Sequence, residues 1–444
     1  MRMMRELTID DLERFKMIAR PQLSEDAEKI LYLVTSPNGE KYETTLEVVN
    51  RKGETLWSLS EGDPTNPSWS PHGDRILFTS RKGMEEKEKG TGLWVTQMGG
   101  EPKLLVKVAG GASSPHWSSD GESIYFVSGV GEDDPDVKVI DKIPIWYNGE
   151  GWTYYKTKHL HRYQIESGKL SVISEGEMDV QCYAESSDGN KVAYCQSANP
   201  LRPGESSLIV YDIAKGTRDQ ILSGYMIQSL IWSPDDDQIA FMGHDGSRGY
   251  ATHTGIHLID VEGGPVKNLT GKLDRGCSRR HYYDIRSMNA GDTYPVWEDE
   301  FIYFPLSDSD RHELHRYNTK TQTIMPVLKG EYSLEEFSVK SGIIAYTRVN
   351  VDKPAELWVK DTSEKQVTSH NNVLLNEVSM SSKERFSFTQ KDGAMVEGWI
   401  LKPYGWVTGK MYPAVVDIHG GPKSKFGDSL MYEHQLYAAN GYAV

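Results

Sequence analysis

The residues best suited to chemistry in this sequence stand close together near its end. His419-Gly420-Gly421-Pro422 follows a continuous apolar run, Tyr412 to Ile418, and precedes a helix-compatible stretch from Asp428 to Asn440. Glycine lets a backbone bend unusually and come close to a reacting atom. N–H groups held ready in such a loop stabilise the negative charge that grows on a carbonyl oxygen during acyl transfer, each by roughly 3–4 kcal/mol. Other clusters carry less chemistry. His312-x-x-His315 and His159-x-His161 have no further ligands at metal spacing, so they are expected to be solvated strand residues, and no metal is expected. Asp235-Asp236-Asp237 reads as a turn. Asp417, His419 and Ser424 are the residue types of a nucleophilic triad, but Asp417 and His419 lie two apart on one expected strand, with no evident route to orient either toward Ser424.

The elements that must position this loop come from a repeat. Trp69-Ser70-Pro71-His72-Gly73-Asp74-Arg75-Ile76-Leu77-Phe78 is echoed at Trp117 to Phe126, Ser186 to Tyr194 and Trp232 to Phe241, with weaker copies at Ser24 to Tyr32, Trp297 to Phe304 and Lys340 to Tyr346. In each, a Ser-x-Asp-Gly type of turn places a side chain that bonds local backbone before a residue tolerating positive φ. The aliphatic-x-aromatic alternation that follows buries one face of a strand. A second run, such as Leu93-Trp94-Val95 or Leu208-Ile209-Val210-Tyr211, comes after every copy. The anchors Ile30, Ile76, Ile124, Val192, Ile239, Ile302 and Ile344 are spaced by 46, 48, 68, 47, 63 and 42 residues. Four strands per unit at this spacing predict a seven-bladed β-propeller. The two long spacings mark insertions near 129–158 and 271–295, the first of which is rich in Tyr and Trp from Asp141 to Tyr155 and reads equally as a substrate-facing loop or an exposed strand extension.

Composition narrows the function classes. The chain has 444 residues, with 49 Lys+Arg against 64 Asp+Glu and a formal charge of −15. That balance argues against a nucleic-acid partner, which would call for a basic face. No stretch approaches 18 apolar residues, so no membrane span is expected. Met1 to Arg20 mixes charges throughout, unlike a secretory signal. The three cysteines, Cys182, Cys195 and Cys277, cannot make a disulfide framework; Cys182 and Cys195 could face each other across a hairpin, and free buried thiols are expected. A soluble, cytoplasmic protein without a cofactor is the expectation.

The repeat stops near Ser381, which divides the chain into an N-terminal helical segment (1–20), the propeller (21–384) and a third part (385–444). The third part reads as two strands, the glycine loop, a helix ending before Gly441 and the start of another strand at Tyr442-Ala443-Val444. A strand leading into a His-Gly-Gly loop and then a helix resembles the oxyanion loop of α/β-hydrolases. Behind a propeller, and with Asp392-Gly393, Gly398-Trp399, Tyr412-Pro413 and Asn440-Gly441-Tyr442 around it, the chain resembles the prolyl oligopeptidase family of serine peptidases, most closely its acylaminoacyl-peptidase and dipeptidyl-peptidase-like branch. The fold class implied is mainly β, a seven-bladed propeller followed by the N-terminal part of an α/β-hydrolase domain. The resemblance implies that Gly421 presents the oxyanion N–H, that His419 and Gly420 shape the loop, and that short peptides are the substrates, admitted by the propeller.

The family also carries its nucleophile in a Gly-x-Ser-x-Gly elbow after that loop, then an acid and a histidine. No Gly-x-Ser-x-Gly occurs in the 444 residues. The chain alone is therefore expected to be inactive. The favoured expectation is a portion of a longer peptidase. A split enzyme completed by a second chain and a non-catalytic binding propeller are the alternatives. Uncovered strand edges in 385–444 also leave room for a homo-oligomer.

Overall fold

The computed structural model describes residues 4–85, 90–132, 136–143, 145–147, 151–421 and 423–444; Pro422 and parts of the 129–158 insertion thus lie outside the described residues. The protein is mainly β. After a 3-10 turn, Ile9–Arg14, the first strand, Met17–Leu23, already begins at Met17. Among the described residues, five antiparallel sheets have four strands each, starting at Met17, Thr65, Ser113, Val296 and Ser333. Between the third and fourth of these lies a seven-stranded sheet, from Val180 to Asn268. Its 16-residue strand Thr217–Trp232 pairs with Ser206–Asp212 along its first half and with Gln238–His244 along its second.

The repeat turns explain the local geometry. In five copies the serine hydroxyl accepts the amide five residues on, as in Arg75 N to Ser70 Oγ (3.0 Å) and Ser123 N to Ser118 Oγ (2.8 Å). The turn residue carries positive φ: Gly73, Gly121 and Gly189 lie near +70° and Asp236 at +56°. Every repeat anchor from Ile30 to Ile344 is 2% exposed or less. Asp236 does more than turn the chain: its carboxylate accepts Ser187 N (2.8 Å) and Asp188 N (2.9 Å) of the neighbouring turn.

The sheets pack side by side into a closed ring. Met17–Leu23 touches Thr65–Trp69, Thr65–Trp69 touches Ser113–Trp117, and Thr157–Gln164 touches Val180–Glu185. Thr217–Trp232 touches Val296–Glu298, Val296–Glu298 touches Ser333–Lys340, and Met17–Leu23 lies on Ser333–Lys340. Among the described residues no strand is exchanged at this closure, since the first and last sheets each complete themselves. Instead Arg20 N donates to Glu336 Oε2 (2.8 Å), Leu23 N to Ser338 Oγ (3.1 Å), and Asn371 exchanges two bonds with the Lys16 backbone (2.9 Å each). The inward strands surround a cavity of about 1270 Å³ lined from every sheet.

Two expectations about histidines are corrected. His312, His315 and His161 are buried, at 0%, 9% and 6% exposure, because their strands are the second or third of a sheet and both faces are covered. The Tyr/Trp insertion includes a short hairpin, Trp146–Tyr147 against Gly151–Trp152, with both tryptophans about half exposed and packed edge to face.

The tail holds one hairpin, Lys383–Thr389 with Met395–Leu401, whose Leu401 exchanges backbone bonds with Val444. Ala443 in turn makes a parallel bridge to Ala414. The apolar run from Tyr412 to Ile418, expected as a buried strand, is not one: beyond that bridge it is irregular, and Val416 and Ile418 are 83% and 84% exposed. Among the described residues nothing covers its outer face. The helix is shorter than expected, Tyr432–Ala439, with Met431 as its N-cap and Gly441 at φ +88° just past its end.

Candidate functional site

The glycine loop is held by the ring rather than by its own flanking strand. Lys425 N donates to Arg280 O (2.8 Å) and Tyr282 N donates to Lys425 O (2.9 Å), a two-bond parallel zipper between the loop and the 271–295 insertion. The Lys423 ammonium donates to Thr252 O at 2.5 Å, and that of Lys425 to Ser309 O. Burial pushes the Lys425 amine down to about 8, against the pull of Asp308 and Asp310. Just beyond, Asp428 N donates to Asp310 O (2.7 Å) and Ser429 Oγ to Tyr282 O (2.6 Å).

The helix start is also served by the ring. Asp428, where the helix-compatible stretch begins, is buried four residues upstream of the helix. The carboxylate of Asp284, in the insertion, accepts the amides of Tyr432 (2.5 Å) and Glu433 (2.9 Å). These are donors that a helix leaves unsatisfied, and negative charge there also suits the helix dipole. Leu430 and Tyr432 then pack with Ile285, Phe15 and Val349 in one core. The tail, the N-terminal segment, the insertion and the last sheet thus share a single apolar junction.

An ion cluster sits under that junction. Lys383 bridges Asp310 (2.6 Å) and Asp428, while Arg385 reaches Asp310 and Arg311 reaches Asp428 (3.3 Å). Burial pushes both carboxyls up. At Asp310 the bond from Lys383 and the charges of Arg385 and Arg311 outweigh it and hold the group below its ordinary value; at Asp428 burial prevails.

Within the loop, Gly421 has a φ of +139°, and a Cβ there would stand 2.7 Å from the Lys423 and Ser424 nitrogens. That is a glycine-only position. Among the described residues the Gly421 N–H has no hydrogen-bond partner, so it is free to receive an acceptor. Gly420 passes close to the Tyr282 hydroxyl, and His419 is exposed with its Nδ1 on Gly420 O at 2.9 Å. The three loop residues are brought together as a backbone turn, against which the described side chains of His419, on Gly420 O, and Tyr282, beside Gly420, are placed.

Asp417 does not face His419 or Ser424. It holds His434 of the helix, Oδ2 to Nε2 at 2.8 Å. Among the described residues no serine hydroxyl bonds a histidine that is itself bonded to a carboxylate. The arrangement presents an unpartnered backbone N–H and, among the described residues, no assembled nucleophile. Sequence reasoning missed Asp284, Asp310 and His434, and the one signal for the first was the long spacing between Ile239 and Ile302.

No family model matches the chain. An uncharacterized peptidase, YuxL, of Bacillus subtilis (strain 168) is 26% identical, aligning 99% of this chain with 70% of its own length. The acylaminoacyl peptidase of Pyrococcus horikoshii superposes with a TM-score of 0.82 at 21% identity, covering 99% of this chain and 66% of that one. The β-propeller domain of the trilobed protease from Pyrococcus furiosus, whose structure is described as having an open velcro topology, matches with a TM-score of 0.58 at 18% identity over 80% of this chain and 99% of that domain. The chain thus spans about two thirds of the length of the first two, and the ring has the fold of a β-propeller.

Proposed function

We propose, from the premise that this chain is a relative of the prolyl oligopeptidase family of serine peptidases, that it serves peptide hydrolysis by acyl transfer, with the Gly421 N–H as an oxyanion donor. The observation that carries the reading is that unpartnered N–H, in a loop clamped to the ring by Lys423, Lys425 and the 280–282 zipper. Residues 385–444 are the first part of an α/β-hydrolase domain, and the ring counts as seven blades with Thr217–Trp232 serving two. The nucleophile, acid and histidine come from residues outside these 444, by continuation of the chain or from a second one. The substrates are short cytoplasmic peptides of acylaminoacyl or dipeptidyl type, and the ring limits their size.

A fluorophosphonate probe tests this. The 444-residue chain should not label, and a form extended past Val444 should label and cleave acylated or dipeptidyl amides. Labelling of the chain alone would overturn the placement of the nucleophile. An extended form that neither labels nor cleaves would leave a binding propeller. In an active form, Gly421→Pro, which removes the N–H and also forces the loop out of its φ of +139°, should lower kcat by about 100- to 1000-fold with a far smaller change in KM, provided circular dichroism and the urea midpoint stay native. Equal loss in both would count against the oxyanion role.

A further inference from the structure

Cys182 and Cys195 lie directly opposite one another, on the strands Val180–Glu185 and Lys191–Ser197. Both are free thiols. Cys182 is partly exposed and lines the central cavity; Cys195 is fully buried behind it. We propose that this pair is a reversible dithiol site, oxidised to a cross-strand disulfide by low-molecular-weight disulfides that enter the ring cavity. The site does not depend on the peptidase reading.

Three observations carry it. Opposed residues on antiparallel strands hold their Cβ atoms about 4.5–5.5 Å apart, and a disulfide asks for about 3.5–4.5 Å, so the ranges meet with a small inward shift. The register slips between Val180 and Cys182, at Gln181, so the strand carries an irregularity beside the cysteine that can absorb the shift. Finally, the two sulfurs differ in access: an oxidant reaches Cys182 from the cavity, whereas Cys195 can meet it only through Cys182. Burial raises the Cys195 thiol well above its ordinary value, so Cys195 is not the first nucleophile, and its closeness to the mixed disulfide has to make up for a low thiolate fraction in the second, intramolecular step.

The chemistry balances as thiol–disulfide exchange. Cys182, deprotonated, attacks one sulfur of the small disulfide; that S–S bond breaks, and the departing thiolate takes up a proton. Cys195 then attacks the Cys182 sulfur of the mixed disulfide, releasing the second small thiol, which carries away the Cys195 proton. The protein loses two electrons and two protons, the equivalent of two hydrogen atoms, and the oxidant becomes two thiols. A bond pulled slightly short of relaxed strand geometry is the labile kind, so a dithiol should reverse it.

The reduced 444-residue chain, incubated with glutathione disulfide, tests the site by intact mass and a non-reducing peptide map. The expected product has lost the mass of two hydrogen atoms, links the Cys182 and Cys195 peptides, and returns to the starting mass with dithiothreitol. Cys277, fully buried elsewhere, should remain unmodified in the same sample. Cys195→Ser should stop at a glutathionyl adduct on Cys182. A stable adduct on the unmutated chain without the cross-link, or an unreacted Cys182 in protein whose circular dichroism is native, would overturn the proposal, and neither outcome relies on a variant that folds.

Discussion

At the scale of single residues, the molecule spends buried charge at the seam between ring and tail. Asp310 is 1% exposed and pairs with Lys383 and Arg385 of one strand and with Arg311 of another. Breaking a buried pair on one side leaves the other charge uncompensated, at about 3–5 kcal/mol. Asp310→Ala should therefore destabilise the chain by that order in urea unfolding. Lys383→Met in the same background should cost less than it does alone, since its pair with Asp310 is already broken and only the one with Asp428 remains to lose. Full additivity of the two substitutions would show that they do not share the cluster.

Elements are joined across long sequence separations, and the helix Tyr432–Ala439 is the clearest case. Its first amides are capped by Asp284 rather than by a neighbour in sequence. Asp284→Ala should cost about 1–2 kcal/mol in unfolding free energy and speed amide exchange at Tyr432 and Glu433, with Asp284→Asn recovering part. Unchanged exchange at those two amides would remove the insertion from the helix start. The Ser-x-Asp-Gly turns and the strands after them were readable from local pattern, because each turn is satisfied by its own serine and glycine. The strand expected at Tyr412–Ile418 was not, because an apolar run becomes a strand only where neighbours pair with it, and here Ala414 alone is bridged.

For the whole molecule, burial of titratable groups sets the response to acid. Burial lowers His312 from 6.5 to about 3 and His257 to about 4, and raises Glu335 from 4.5 to about 7. As pH falls from about 6.5, the unfolded chain protonates those histidines while the folded one does not, so stability is lost. Glu335 opposes this between about 7 and 4.5, because there the folded chain takes the proton first. Two histidines against one carboxyl leave a net loss on going from pH 7 to pH 4. Urea midpoints across that range should fall, less steeply in His312→Asn and more steeply in Glu335→Gln. An identical slope in all three would place the acid response elsewhere. Ring closure is the other property of the whole. Glu336 is one of its ties, accepting Arg20 N at the closure and Gly291 N of the insertion (2.7 Å). Glu336→Ala leaves two amides without their acceptor, and a loss of about 2–4 kcal/mol is expected on urea unfolding.

The sequence by itself determined the repeat, its turns, the buried anchors and the glycine loop, since all of these follow from residues within a few positions of one another. Tertiary structure decided what touches the loop and what does not: the zipper to Arg280 and Tyr282, the Asp284 cap, the Asp417–His434 pair and the cavity-facing cysteine opposite a buried one. The reason is physical. Hydrophobic period and turn chemistry act along the chain, whereas charge pairing and capping between distant segments are set only once the ring has closed and brought them within hydrogen-bond reach.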